Sequence, residues 1–106
     1  MDRTTPKTVT FGEGRTYTLD PYGFLDPPEQ WDEPFANGMA QLQGVYDGLT
    51  KEHWDFIDYI REKFLTEKTL PLLVVACAEN HLRLDKLKSL FPTGYFRGAC
   101  RIAGVS

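Results

Sequence analysis

Residues 49–65 read LTKEHWDFIDYIREKFL, and their periodicity decides the fold. Trp54, Ile57, Ile60 and Phe64 recur at helical spacing, so one face of a long helix is apolar. Thr50 stands where a side chain can accept from the first free backbone N–H groups, and Leu49 and Trp54 occupy the two positions of a hydrophobic staple. The stripe is expected in the core, packed against the apolar segment that follows. That segment, LPLLVVACA at 70–78, starts around Pro71 and is apolar on most sides, which predicts a buried helix, with a strand as the alternative reading of its valines. RLDKLKSLF (83–91) spaces Leu84, Leu87, Leu90 and Phe91 for a further helix with basic residues between them, ended by Pro92. GYFRGACRIAG (94–104) adds a final short helix bounded by Gly94 and Gly104. The tight turn at Asn80–Arg83 between two short helices also permits a helix-turn-helix.

Upstream, KTVTFGEGRTYTLD (7–20) alternates Val9, Phe11, Tyr17 and Leu19 with threonines around Gly12 and Gly14, a β-hairpin pattern. DPYGFLDPPEQW (20–31) holds too much proline and glycine for a helix and offers Phe24, Leu25 and Trp31 to the core. Asp32 with Pro34 reads as a helix start, and Gly38 and Gly44 make the helix that follows dependent on packing.

With 106 residues, 42% of them hydrophobic and 25% charged, the chain has the apolar content for one core, so residues 1–106 are expected to form one domain. No apolar run is long enough to span a bilayer, and the opening MDRTTPKT lacks the apolar centre of a signal peptide. A cytoplasmic protein without membrane contact is expected, with Cys77 and Cys100 as thiols. The net charge of −3 hides an asymmetry: residues 1–82 carry seven Lys or Arg against fourteen Asp or Glu, whereas Arg83, Lys86, Lys88, Arg97 and Arg101 face only Asp85 in the remainder. Such a basic tail attracts anions, acidic protein surfaces or nucleic acid.

Cys77 and His81 lie one helical turn apart, and His53 and Cys100 would nominally complete four ligands, but zinc sites use two closely spaced pairs and only one exists; no metal or other cofactor is expected. No GxSxG or glycine-rich phosphate loop occurs, so the sequence supplies no enzyme motif. Cys100 stands out: Gly98 and Ala99 let a partner approach closely, and Arg97 and Arg101 favour a thiolate. Cys77, inside LLVVACA, reads as a small hydrophobe. Cys100 is therefore expected to be exposed and reactive, and Cys77 buried.

HWDFIDYIRE (53–62) and LFPTGYFRGACRIAG (90–104), together with the hairpin, DPYGFL and the proline of LPLL, resemble the TusE/DsrC/DsvC sulfur relay family, whose dissimilatory branch is called the gamma subunit of dissimilatory sulfite reductase. The resemblance spans nearly the whole chain. It implies a mostly α fold of α+β type: a small orthogonal helical bundle (helices at about 33–104) with an N-terminal β-hairpin (about 8–20) and a helix-turn-helix-like centre. It also implies sulfur passed as a persulfide or trisulfide on cysteines near the C-terminus. Dissimilatory members carry an upstream cysteine, matched here by Cys100, and a further arm with a penultimate cysteine, where this chain reads GVS.

The expected function is therefore a protein of sulfur metabolism, closer to a carrier or accessory subunit than to a turnover enzyme. It would dock on a sulfur-handling partner such as a sulfite reductase or a sulfurtransferase through the basic C-terminal face, with Cys100 as candidate sulfur acceptor and Arg97, Arg101, Lys88, Arg83 and Lys86 as binding residues. The alternative is a helix-turn-helix regulator in which Arg83, Lys86 and Lys88 meet DNA phosphates, although the acidic remainder of the chain weakens phosphate attraction. An accessory subunit with inert cysteines is the third reading.

Overall fold

The computed structural model describes residues 7–12 and 14–106. Strands β1 (Lys7–Phe11) and β2 (Arg15–Leu19) form the expected antiparallel hairpin, with Val9 opposite Tyr17. A 3₁₀ turn (Pro28–Gln30) leads to helices α1 (Glu33–Leu42), α2 (Lys51–Glu67), α3 (Leu73–Glu79) and α4 (Leu84–Leu90). A π-helical turn (Tyr95–Cys100) then runs straight into α5 (Arg101–Ala103). The molecule is mostly helical with an N-terminal hairpin, as the sequence indicates.

Local chemistry explains the helix starts. Asp32 caps α1: its carboxylate accepts from the Phe35 N–H at 3.0 Å, from the Tyr17 hydroxyl at 2.6 Å and from Arg15 at 2.7 Å. Burial alone would raise the Asp32 carboxyl, but these donors hold it below its ordinary value. One side chain thus fastens β2 to α1. Thr50 caps α2 in a capping box whose return arm is His53. The imidazole is buried; Nδ1 accepts from the Thr50 N–H at 3.0 Å and Nε2 lies 2.7 Å from the Leu90 carbonyl, so Nε2 carries the proton and ties α2 to the end of α4.

The helix 49–65 presents a rotated face. Phe56, Ile57 and Ile60 are its fully enclosed side chains, whereas Trp54 and Phe64 are half-buried. Trp54 packs edge-on against Trp31, with ring centroids 6.5 Å apart. The core partner of α2 is chiefly the C-terminal segment, not the helix after Pro71. That helix, α3, also departs from expectation: Ala76 and Cys77 are buried, but Leu72, Val74 and Val75 face solvent. A seven-residue helix presents only one face to a core, so an all-round apolar sequence leaves its remaining side chains outside.

The centre of the core is instead the tail. Ala99, Cys100, Ile102, Ala103 and Val105 are essentially inaccessible, between α1 and α2. The small residues that suggested an approachable thiol serve close packing within the chain. Gly104 ends α5 with φ 71°, and an added Cβ there would meet the Trp31 ring at 2.6 Å. Trp31 Nε1 donates to the Ile102 carbonyl at 2.9 Å and Arg61 to the Ala103 carbonyl at 2.8 Å, while the Arg61 guanidinium stacks 4.0 Å from the Trp31 ring.

Gly38, within α1, is the seat of Phe11. A Cβ at position 38 would lie 2.3 Å from the Phe11 ring. Helix propensity alone would make Gly38→Ala stabilising by about 1 kcal/mol, but the overlap reverses the sign. Gly38→Ala should destabilise the protein by about 1–3 kcal/mol in urea unfolding, as overpacking does. In the Phe11→Ala background the same change should become neutral or stabilising, and equal cost in both backgrounds would show that the ring is not the obstacle.

Candidate functional site

The six residues singled out by sequence fall into three environments. Arg83, at the start of α4, pairs with Asp85 at 3.4 Å, and Lys86 lies 3.6 Å from Glu52 on α2. Lys88 lines a shallow depression with Arg83, Leu84 and Asp85. Two of the three cations expected to meet DNA are thus engaged by carboxylates, if weakly at such exposed positions. Nothing in the structure supports the nucleic-acid reading.

Arg97 and Arg101 belong to a different place. They line a cleft of about 630 Å³ with Tyr22, Phe24, Leu70, Phe96 and Ser106. Its far wall comes from the proline- and glycine-rich stretch after β2. Asp20 shapes that loop by accepting from the N–H groups of Tyr22 (2.9 Å) and Phe24 (3.0 Å). Arg101 is fixed across it, donating to the Tyr22 carbonyl at 2.6 Å with its guanidinium 5.0 Å from the Phe24 ring centroid. Its Nε–H is buried without an acceptor. Tyr22 and Phe96 remain 77% and 59% exposed. From the sequence, Phe24 was expected in the core and neither Tyr22 nor Phe96 was given a role, so the aromatic walls went unrecognised. A large aromatic in a turn held by an Asp side chain was the available signal.

The third environment is that of Cys100, and it overturns the expected exposure. The residue is 0% exposed, against 8% for Cys77, so the thiol expected outside is the more enclosed of the two. Burial pushes the Cys100 thiol up to about 12; the adjacent Tyr95 hydroxyl pulls the other way without offsetting it. Cys77 is also raised by burial. Arg97 and Arg101 lie next to Cys100 in sequence but form the cleft, and they do not activate the thiol. Tyr95, in turn, donates its hydroxyl to the Pro71 carbonyl at 2.7 Å and so joins the tail to the start of α3. Among the described residues no three His, Cys, Asp or Glu side chains gather as metal ligands, and the set of His53, Cys77, His81 and Cys100 does not assemble.

Residues 12–106 match the family described as DsrC like protein. The chain belongs to the DsrC-like family. It is 32% identical over 100 residues to the sulfurtransferase TusE of Escherichia coli K12, a match covering 88% of this chain and 90% of that protein. The oxidized gamma subunit of dissimilatory sulfite reductase from Archaeoglobus fulgidus superposes with a TM-score of 0.80 at 31% identity, covering 94% of this chain and 95% of that one. The DsrC/gamma subunit of Pyrobaculum aerophilum gives 0.79 at 34%, covering 94% and 89%. The chain shares the sulfur-relay and gamma-subunit-like character of this family, and its fold superposes on these solved structures over 94% of its length. Among the described residues no helix is long and apolar enough to cross a membrane.

Two measurements test the thiol assignment in this DsrC-like chain. Alkylation under native conditions should label Cys77 ahead of Cys100, with both becoming equally reactive in denaturant; rapid native labelling of Cys100 would contradict its burial. The pH dependence has a definite sign. The unfolded chain releases the Cys100 proton near 9.0 and the folded chain holds it to about 12, so the folded state binds more protons in between and stability falls as pH rises. The loss attributable to this group is up to about 1.4 kcal/mol per pH unit in that window, and Cys100→Ala should flatten the slope by that amount.

Proposed function

We propose that this protein acts in sulfur metabolism by binding a sulfur-handling partner, a sulfite reductase or a sulfurtransferase, in the cytoplasm, and that docking rather than transfer through Cys100 is its principal task. The docking face is the C-terminal one that carries Arg97 and Arg101. The observation that carries this reading is the exposure of Tyr22 and Phe96 beside these arginines. Aromatic and arginine side chains together are the composition of interface centres. The names of the relatives supply the chemistry of the partner: one is a sulfurtransferase, others are gamma subunits of dissimilatory sulfite reductase.

The closed C-terminal helix argues against Cys100 as an acceptor in the resting fold. A persulfide adds a sulfur atom to a residue with no free surface, and forcing extra atoms into a packed interior costs about 1–3 kcal/mol. Sulfur on Cys100 therefore carries this packing cost while the tail stays between α1 and α2.

Calorimetric titration against a dissimilatory sulfite reductase and against a sulfurtransferase tests the reading. Saturable binding to one of them is expected. Phe96→Ala with Arg97→Glu should weaken it at least about tenfold, in the range of interface anchors, while Cys100→Ala leaves it unchanged. Binding lost on Cys100→Ala and untouched by the face variants would refute the docking assignment.

A further inference from the structure

We propose that the cleft between the Pro21–Leu25 loop and the π-helical turn is a slot for an extended peptide segment of the partner that carries a carboxylate beside an apolar side chain. The inference rests on the docking reading and specifies what the docking face recognises. Three observations lead to it.

The first is size and lining. At about 630 Å³ the cleft falls within the range of organic-ligand sites, and it corresponds to roughly twenty waters at about 30 Å³ each. An inorganic oxyanion would leave most of it empty. The walls contributed by Tyr22, Phe24, Leu70 and Phe96 match an apolar side chain lying along the groove.

The second is unmet charge. Neither Arg97 nor Arg101 has a carboxylate within ion-pair distance among the described residues, and no Asp or Glu lines the cleft. This is unlike α4, where Arg83 and Lys86 both have acidic neighbours. Arg101 spends one donor on the Tyr22 carbonyl and leaves its Nε–H without an acceptor. Among the described residues no Asp or Glu side chain balances the positive charge at the head of the cleft, and a carboxylate is the group that balances it in a protein partner.

The third is preorganisation. The Arg101 guanidinium is held between the Tyr22 carbonyl and the Phe24 face, and an added Cβ at Gly23 would come within 3.3 Å of it. The cation is thus fixed before any ligand arrives, which lowers the entropy lost on binding. Arg97, free at the rim, adds charge that steers an acidic segment inward.

The test uses the full chain, isotope-labelled for backbone amide NMR, and a blocked peptide, Gly-Phe-Asp-Phe-Gly, as probe. Its Asn counterpart and sodium sulfate serve as controls. Saturable shifts centred on Tyr22, Phe24, Phe96, Arg97 and Arg101 are expected with the Asp peptide, and binding of the Asn peptide should be about tenfold weaker, as expected for loss of a charge-assisted bond. Arg97→Gln, at an exposed position that leaves the fold intact, should narrow the difference between the two peptides. Equal binding of both peptides, shifts elsewhere on the surface, or sulfate binding as tightly as the Asp peptide would each overturn the proposal. Such a failure alongside intact partner binding in the calorimetric experiment would leave the docking reading standing, and loss of partner binding would strike that reading separately.

Discussion

Two donors directed at the last carbonyls of α5 hold this structure together. Trp31 Nε1 reaches Ile102 and the Arg61 guanidinium reaches Ala103, so the open end of α5 is capped by side chains from the loop before α1 and from the middle of α2. The two caps also stack on each other, which helps the Arg61 guanidinium sit half-buried. Once they are in place, Ala99, Ile102 and Ala103 have nowhere to go but the space between α1 and α2. Remove the clamp, and the helix that fills the core has neither a terminus satisfied nor a fixed depth.

That constraint determines the chemistry. A thiol on the most enclosed helix of a small protein is protonated, shielded and positioned by packing, whatever its sequence neighbours. Two consecutive turns of one short helical segment therefore carry opposite properties. The inward side holds Cys100, and the outward side offers Arg97 and Phe96 to solvent, with Arg101 half-buried across the cleft. Under the docking reading proposed above, the outward side is the recognition surface, while the inward thiol stays enclosed.

The hairpin, the Asp32 and Thr50 caps and the helical periodicity of 49–65 were legible because they are local: each depends on residues a few positions apart. The family was legible because its motifs are long. What escaped was set by contacts far apart in sequence. Nothing local to Gly38 announces that Phe11 rests on it, and nothing local to His53 announces the Leu90 carbonyl. The rotation of α2, which puts Phe56 inward and Trp54 to the side, follows from Trp31 waiting at that side. The tail misled for a specific reason: small residues are as suited to closeness inside a core as to closeness with a partner, and only the neighbours distinguish the two.

The π-helical turn at Tyr95–Cys100 has one more consequence. Its Ala99 N–H reaches back five residues to the Gly94 carbonyl, so the turn holds one residue more than an α-helix would. Each residue of a regular helix accounts for about 100° of rotation. A single-codon deletion between Tyr95 and Cys100 would therefore act as a phase change. The clamped end could keep its seat, while everything ahead of the deletion turned about the axis, carrying Phe96 and Arg97 away from the Tyr22 wall.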